Sequence, residues 1–270
     1  MALVPFPGTQ SGAYKAFPPD DDDDALSNGK MSFLEHLDEL RKRIVNSCIA
    51  IAVGVVLTFA FIDKIFNFLL APTRRALPPG VKLIYTQPGE AFSLYITVAL
   101  IAGAVVAAPY IMYQVWMFIA PGLYSNEKRM AIPFVLFTTI GFVAGALFNH
   151  YVSFPFMMAF FASFNTPDLA FMPKLEDVFG LYTKMLIGMG LVFQMPTIVY
   201  FLARIKLITA RFLAKNFKYA FLIIFIVAAV ITPTGDMMTQ AIFAAPMVGL
   251  YLLSIAIAWI VGPKRIGDAD

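Results

Sequence analysis

Between its charged residues the chain runs through long apolar stretches. Arg43 and Asp63 enclose 19 uncharged residues, Glu90 and Glu127 enclose 36, and Arg129 and Asp168 enclose 38 with His150 taken as neutral. Lys184 to Arg204, Lys218 to Asp236 and Asp236 to Lys264 enclose 19, 17 and 27. A hydrocarbon layer ~30 Å thick takes roughly 20 helical residues. The pattern therefore predicts six spans, at about 44–63, 91–118, 131–151, 178–203, 218–233 and 238–260. Each of the two longest stretches could hold two short spans, but no polar turn interrupts them before Ser125-Asn126 and Asn165-Thr166-Pro167. Prolines 109, 121, 133, 155, 196 and 246 lie in or beside these stretches. Each removes a backbone donor, so the expected architecture is a bundle of kinked helices.

Two segments precede the first span. Residues 1–30 combine the acid run Asp20 to Asp24 with proline and glycine and read as a disordered, solvated tail. An alternative is that the acid run competes with basic ligands, and Met31 is a second candidate start. The acid run also argues against an arginine-rich transit peptide. Ser32-Phe33-Leu34-Glu35 then fits a capping box, which starts a helix at about Phe33. Phe33, Leu37, Leu40 and Ile44 form an apolar stripe, with Glu35, Asp38, Glu39, Lys42 and Arg43 on much of the remainder. A surface anchor with a basic stop explains Arg41-Lys42-Arg43. Acids so close to a negative lipid surface suggest in addition a face that can take a cationic ligand.

Composition fits a lipid environment: 60% of the 270 residues are hydrophobic and 14% charged, against roughly 25% charged in a soluble domain. Lysine and arginine counts give the orientation, because cytoplasmic loops retain the excess. The N-terminal segment, second loop, fourth loop and C-terminal tail carry 14 of the 20 cations and the opposite side 6, so both termini are predicted cytoplasmic. Residues 31–264 form the membrane domain on this reading, with 265–270 a short cytoplasmic tail.

Little catalytic chemistry is available. Cys48 is the single cysteine, and His36 and His150 are assigned to opposite faces, His36 as a solvated residue and His150 as an interfacial one. No nucleophile elbow, zinc-binding helix, phosphate loop or dinucleotide fingerprint occurs. The Asp20 to Asp24 run matches a metal box in composition only. An enzyme, a cofactor and a metal site are accordingly not expected, and a net charge of +3 is too small to imply a nucleic-acid partner. Lys184 is the charge placed furthest inside an apolar stretch, and it is expected to snorkel outward. Gln194 lies ten residues beyond it, about 15 Å along a helix and near mid-membrane. It makes either a buried interhelical hydrogen bond or a ligand or partner contact.

Assembled, these segments resemble the TatC family, the core receptor of the twin-arginine protein translocase. The matching residues are His36-Leu-Asp-Glu-Leu-Arg-Lys-Arg43, Ala71-Pro72, and Ala108-Pro109-Tyr-Ile-Met-Tyr-Gln-Val-Trp-Met-Phe-Ile-Ala-Pro-Gly-Leu-Tyr124 running into Ser-Asn-Glu127-Lys-Arg129. Phe193-Gln194-Met-Pro196, Thr232-Pro233 to Gln240, and Ile242 to Pro246 follow, so the similarity covers about Ser32 to Lys264. The resemblance implies an all-α, cup-shaped bundle of six kinked transmembrane helices in the bacterial inner membrane. It implies that the protein binds twin-arginine signal peptides of folded precursors and uses the proton motive force. Its implied partners are the single-span subunits TatA and TatB, other TatC copies and lipids.

The signal-peptide site implied by the resemblance comprises Glu39, Arg41, Phe118, Pro121, Tyr124, Glu127 and Arg129, the two carboxylates accepting charge-assisted bonds from an arginine pair. Gln194, Thr232, Asp236 and Gln240 are the implied intramembrane polar and partner-docking positions. Two departures stand out: many members have Glu where this chain has Gln194, and Thr232-Pro-Thr-Gly-Asp236 is one residue longer than the T-P-P-D form of that turn. A small-solute transporter would predict charged or unwound midplane sites and repeated halves, and neither is visible. A membrane scaffold leaves the specific second loop unexplained.

Overall fold

The computed structural model describes residues 33–77, 81–119, 131–166, 168, 170–232 and 236–262. They form α1 (Phe33–Phe59), α2 (Ile62–Ala76), α3 (Glu90–Ile119) and α4 (Ala131–Phe148), then a π-helical turn (Asn149–Ser153) leading into α5 (Phe154–Ala162). α6 (Leu175–Val192), α7 (Met195–Arg204), α8 (Ala210–Lys215), α9 (Phe217–Ile231) and α10 (Met237–Val261) follow. The protein is all-helical, with an isolated parallel bridge between Ile84 and Lys174. The chain divides into two units, residues 1–41 and 42–270. Described residues of the first unit are the helical stretch from Phe33, in which Leu34, Leu37 and Arg41 are exposed.

Among the described residues, five helical segments have the length and hydropathy of membrane spans: Leu34–Phe59, Glu90–Ile119, Ile132–Ala162, Leu175–Arg204 and Met237–Val261. The sixth apolar helix, α9, has 15 residues, or about 22 Å at 1.5 Å per residue, shorter than a ~30 Å core. The protein is therefore a multi-pass membrane protein.

The interruptions follow the prolines. Pro196 enters the first turn of α7, where a missing N–H is tolerated, so the fourth span breaks at Phe193-Gln194. Pro155 sits at the start of α5, immediately after the π-helical turn. Pro72, Pro109 and Pro246 lie inside α2, α3 and α10.

α6 is the hub of the second unit. Met185, Met189, Phe179 and Tyr182 are buried on it, whereas α1 buries little of its apolar surface. Glycines bring the backbones together at two crossings, as expected where lipid supplies no hydrophobic drive and packing must hold helices. A Cβ on Gly103 of α3 would lie 2.5 Å from the Val55 nitrogen of α1, and one on Gly145 of α4 would lie 2.6 Å from the Met189 carbonyl oxygen of α6.

One acid ties two loops on the side that the charge count predicts to be outside. Glu90 is 5% exposed, and its carboxylate accepts hydrogen bonds from the backbone N–H groups of Thr86 (3.0 Å), Gln87 (3.3 Å) and Glu176 (3.2 Å). Lys174 lies 3.8 Å from it, and the Leu175 N–H donates to the Ile84 carbonyl at 2.8 Å. Glu90 thus satisfies two amides of the loop that leads into α3 and one in the first turn of α6.

Candidate functional site

The loop between α3 and α4 carries most of the expected signal-peptide residues. Pro121, Tyr124, Glu127 and Arg129 lie outside the described residues, as do the Asp20 to Asp24 run, Ser32 and Met31. Phe118 is half-buried near the end of α3, and Glu39 is half-buried and Arg41 exposed on the first unit's helix.

The supports of that loop are described. Trp116, 2% exposed, packs against Phe134 at a centroid distance of 4.7 Å and against Phe201 at 5.9 Å, and Phe134 meets Phe201 edge-on at 4.8 Å. These three rings join the end of α3, the start of α4 and α7, which fixes the two ends from which the loop springs. Arg43 donates to the buried Gln114 Oε1 at 3.2 Å and thereby joins α1 to α3 within the second unit. Sequence reading noted the Tyr-Gln-Val-Trp run but not these roles. The available signal was a Gln and a Trp two residues apart in an otherwise apolar helix end.

Gln194 is 7% exposed at the break before α7. Its Nε2 donates to the Thr138 carbonyl of α4 at 3.0 Å and to the Gly190 carbonyl of α6 at 3.3 Å. The interhelical hydrogen bond is thus made by the amide nitrogen, while Oε1 has no hydrogen-bond partner among the described residues. Beside it, Phe137, Gly141, Pro196, Tyr200 and Leu253 line an apolar groove of about 500 Å³ between α4, α7 and α10.

Asp236 caps α10: its carboxylate accepts from the Thr239 N–H at 2.8 Å and from the Thr239 hydroxyl at 2.6 Å. Gln240 donates to the Phe225 carbonyl at 2.8 Å, binding α10 to α9. Thr232 is buried, with its hydroxyl on the Ala228 carbonyl at 2.8 Å. Of the three, Gln240 joins α9 to α10, while Asp236 and Thr232 bond at the ends of their own helices.

His150 is buried among its neighbours. It is 4% exposed in the π-helical turn, with Nδ1 3.1 Å from the Tyr182 hydroxyl. Lys184, by contrast, is exposed on α6. No cluster of three or more metal-ligating side chains occurs among the described residues.

Comparison with known proteins extends over most of the chain. A family model described as "Sec-independent protein translocase protein (TatC)" matches residues 35–246. The TatC protein of Koribacter versatilis is 40% identical over 238 residues, covering 87% of this chain and 88% of its own length. That of Desulforapulum autotrophicum is 41% identical over 241 residues, covering 89% of each. Two crystal structures titled as the twin-arginine translocase receptor TatC, one of them in DDM, superpose with TM-scores of 0.73 and 0.74 at 36% and 35% identity. Each covers 83% of this chain, and 98% and 99% of its own.

Proposed function

Because the chain belongs to the TatC family of Sec-independent protein translocase proteins, we propose that it is the receptor subunit that binds twin-arginine signal peptides of folded precursors at the cytoplasmic face. The protein is a translocase component rather than an enzyme. The observation that carries the receptor reading is the match at 36% identity to a solved twin-arginine translocase receptor over 83% of the chain. On this reading Glu39 and Glu127 each accept charge-assisted bonds from one arginine of the pair. Arg41, Phe118, Pro121, Tyr124 and Arg129 shape the surface around them. The aromatic cluster of Trp116, Phe134 and Phe201 supports this role by anchoring both ends of the loop.

Gln194, Thr232, Asp236 and Gln240 belong on this reading to the surface where single-span partners of the TatA and TatB type dock, and transport draws on the proton motive force. Residues 31–264 make up the membrane domain, and 1–30 a separate tail.

A charge-assisted bond contributes roughly 1.5–3 kcal/mol, about tenfold to a hundredfold in affinity. Photo-crosslinking of a twin-arginine peptide to the protein in membranes tests this directly. Glu39→Ala and Glu127→Ala should each weaken capture by that factor, as should replacing either peptide arginine. Unchanged capture in both variants overturns the assignment.

A further inference from the structure

A second group of polar residues lies buried in the membrane domain, away from the loop and from Gln194. It occupies the π-helical turn Asn149–Ser153, on the side of the membrane that the charge count predicts to be outside. Asn149, His150 and Ser153 are 0%, 4% and 3% exposed. π-Helical turns are rare, and they persist mostly where a residue must be held in a particular place for function. Here the turn directs His150 into a contact between two other elements. Its ring stacks on Phe68 of α2, with centroids 4.1 Å apart and planes 11° from parallel, while its Nδ1 pairs with the Tyr182 hydroxyl of α6. Tyr151 meets the ring edge-on, and Tyr182 in turn packs edge-on against Phe154.

The charges around the turn determine how a proton would act there. α4 and α5 contain no titratable side chain. α2 carries Asp63, Lys64, Arg74 and Arg75. α6 carries Glu176, Asp177, Tyr182 and Lys184, of which Tyr182 meets the ring. The turn itself adds Tyr151. Among the described residues no carboxylate pairs with the imidazole, so an imidazolium there would have only aromatic faces and one hydroxyl as partners. A buried charge without a counterion is among the costliest arrangements a protein can hold.

Asn149 supplies an independent observation. Both atoms of its side-chain amide are buried without a hydrogen-bond partner. An unsatisfied amide raises the free energy of the closed packing, and water would satisfy it on opening. The closed arrangement is thus poised, so that one proton can decide between closed and open.

We propose that the turn is a proton-operated latch: neutral His150 fastens α2 to α6 through Phe68 and Tyr182, and protonation releases α2. The proposal is independent of the signal-peptide site.

The test uses the full-length protein in lipid nanodiscs. ¹⁵N-histidine NMR follows the two imidazoles, and hydrogen exchange of residues 62–76, corrected for the intrinsic pH dependence of exchange, follows α2. Between about pH 8 and pH 5 the protected amides of α2 should exchange at least about tenfold faster, with the midpoint of the His150 nitrogen shifts. His150→Phe keeps a ring on Phe68 but cannot titrate, so its α2 exchange should stay at the high-pH level throughout. Tyr182→Phe removes only the hydroxyl that Nδ1 meets and should move the native midpoint, and it carries the test if His150→Phe does not fold. Acid-dependent exchange that persists in His150→Phe overturns the latch. So does an unmoved midpoint in Tyr182→Phe, or titration of His150 with no change in α2.

Discussion

Replacing Gly145 by alanine tests whether close helix packing, rather than helix propensity, stabilises the membrane domain. The new Cβ would lie 2.6 Å from the Met189 carbonyl oxygen, 3.0 Å from its carbon and 3.1 Å from the Gly190 Cα. All three atoms are backbone, so no rotamer change can relieve the overlap, and α4 must withdraw from α6 by roughly 0.8 Å to reach ordinary contact. Overpacking of this kind costs about 1–3 kcal/mol. Removing a helical glycine returns up to about 1 kcal/mol, so from the middle of the overpacking range, about 2 kcal/mol, a net loss of about 1–2 kcal/mol remains. For a chain of this size that corresponds to a fall in Tm of roughly 2–8 °C. Gly180 on the same α6 is the control: it is exposed, and nothing lies within 4 Å of the place an added methyl would occupy. Gly180→Ala should therefore raise Tm by roughly 1–4 °C, the propensity gain alone. Thermal unfolding of both variants in one detergent at one scan rate decides it. If Gly145→Ala matches the native protein, or both variants move in the same direction, close backbone packing is not what holds this crossing.

Four further outcomes follow from the same geometry. Trp116→Ala should cost about 3–5 kcal/mol by emptying the ring cluster, seen as a lowered detergent Tm together with weaker peptide capture. Gln194→Leu should stay within about 1 kcal/mol of the native protein, since buried polar pairs in membranes contribute about 0.6 kcal/mol. Gln194→Glu would direct carboxylate oxygen at the Thr138 and Gly190 carbonyls, so its Tm should fall further at pH 8 than at pH 5. Lys174 has its pKa raised by the Glu176 side-chain bond first and by the charges of Glu90, Glu176 and Asp177. A raised folded-state pKa gives stability that is complete below the unfolded value of 10.5 and lost as pH climbs through the folded value. The Tm difference between the native protein and Lys174→Gln should thus be constant from pH 6 to 9 and shrink above pH 10.5.

Several features of the site were legible in the chain because they are local. The Tyr-Gln-Val-Trp run marked the end of α3, and Thr232 to Gln240 marked a short polar hairpin whose cap, Asp236, binds the Thr239 amide three residues away. Glu90 illustrates the opposite case. In the sequence it ends an apolar stretch. In the fold it is a buried acceptor for an amide 86 residues away, and no local pattern encodes a partner so distant. The contacts of His150 are a similar case, because they depend on the packing of Phe68 of α2 and Tyr182 of α6 against it.

By itself, then, the sequence determined that the chain lives in a membrane, roughly where its six apolar helices lie, which side the charge excess assigns to the cytoplasm, and which family it joins. Those properties sum over neighbouring residues, as transfer free energies and loop charges do. Tertiary structure decided which apolar faces meet protein and which meet lipid. Hydropathy cannot make that distinction, because lipid tails are as apolar as a protein core. The choice falls instead to shape: glycines that let backbones touch at Gly103 and Gly145, rings that interlock around Trp116, and polar groups such as Glu90, Gln194 and His150 that must find partners on other helices.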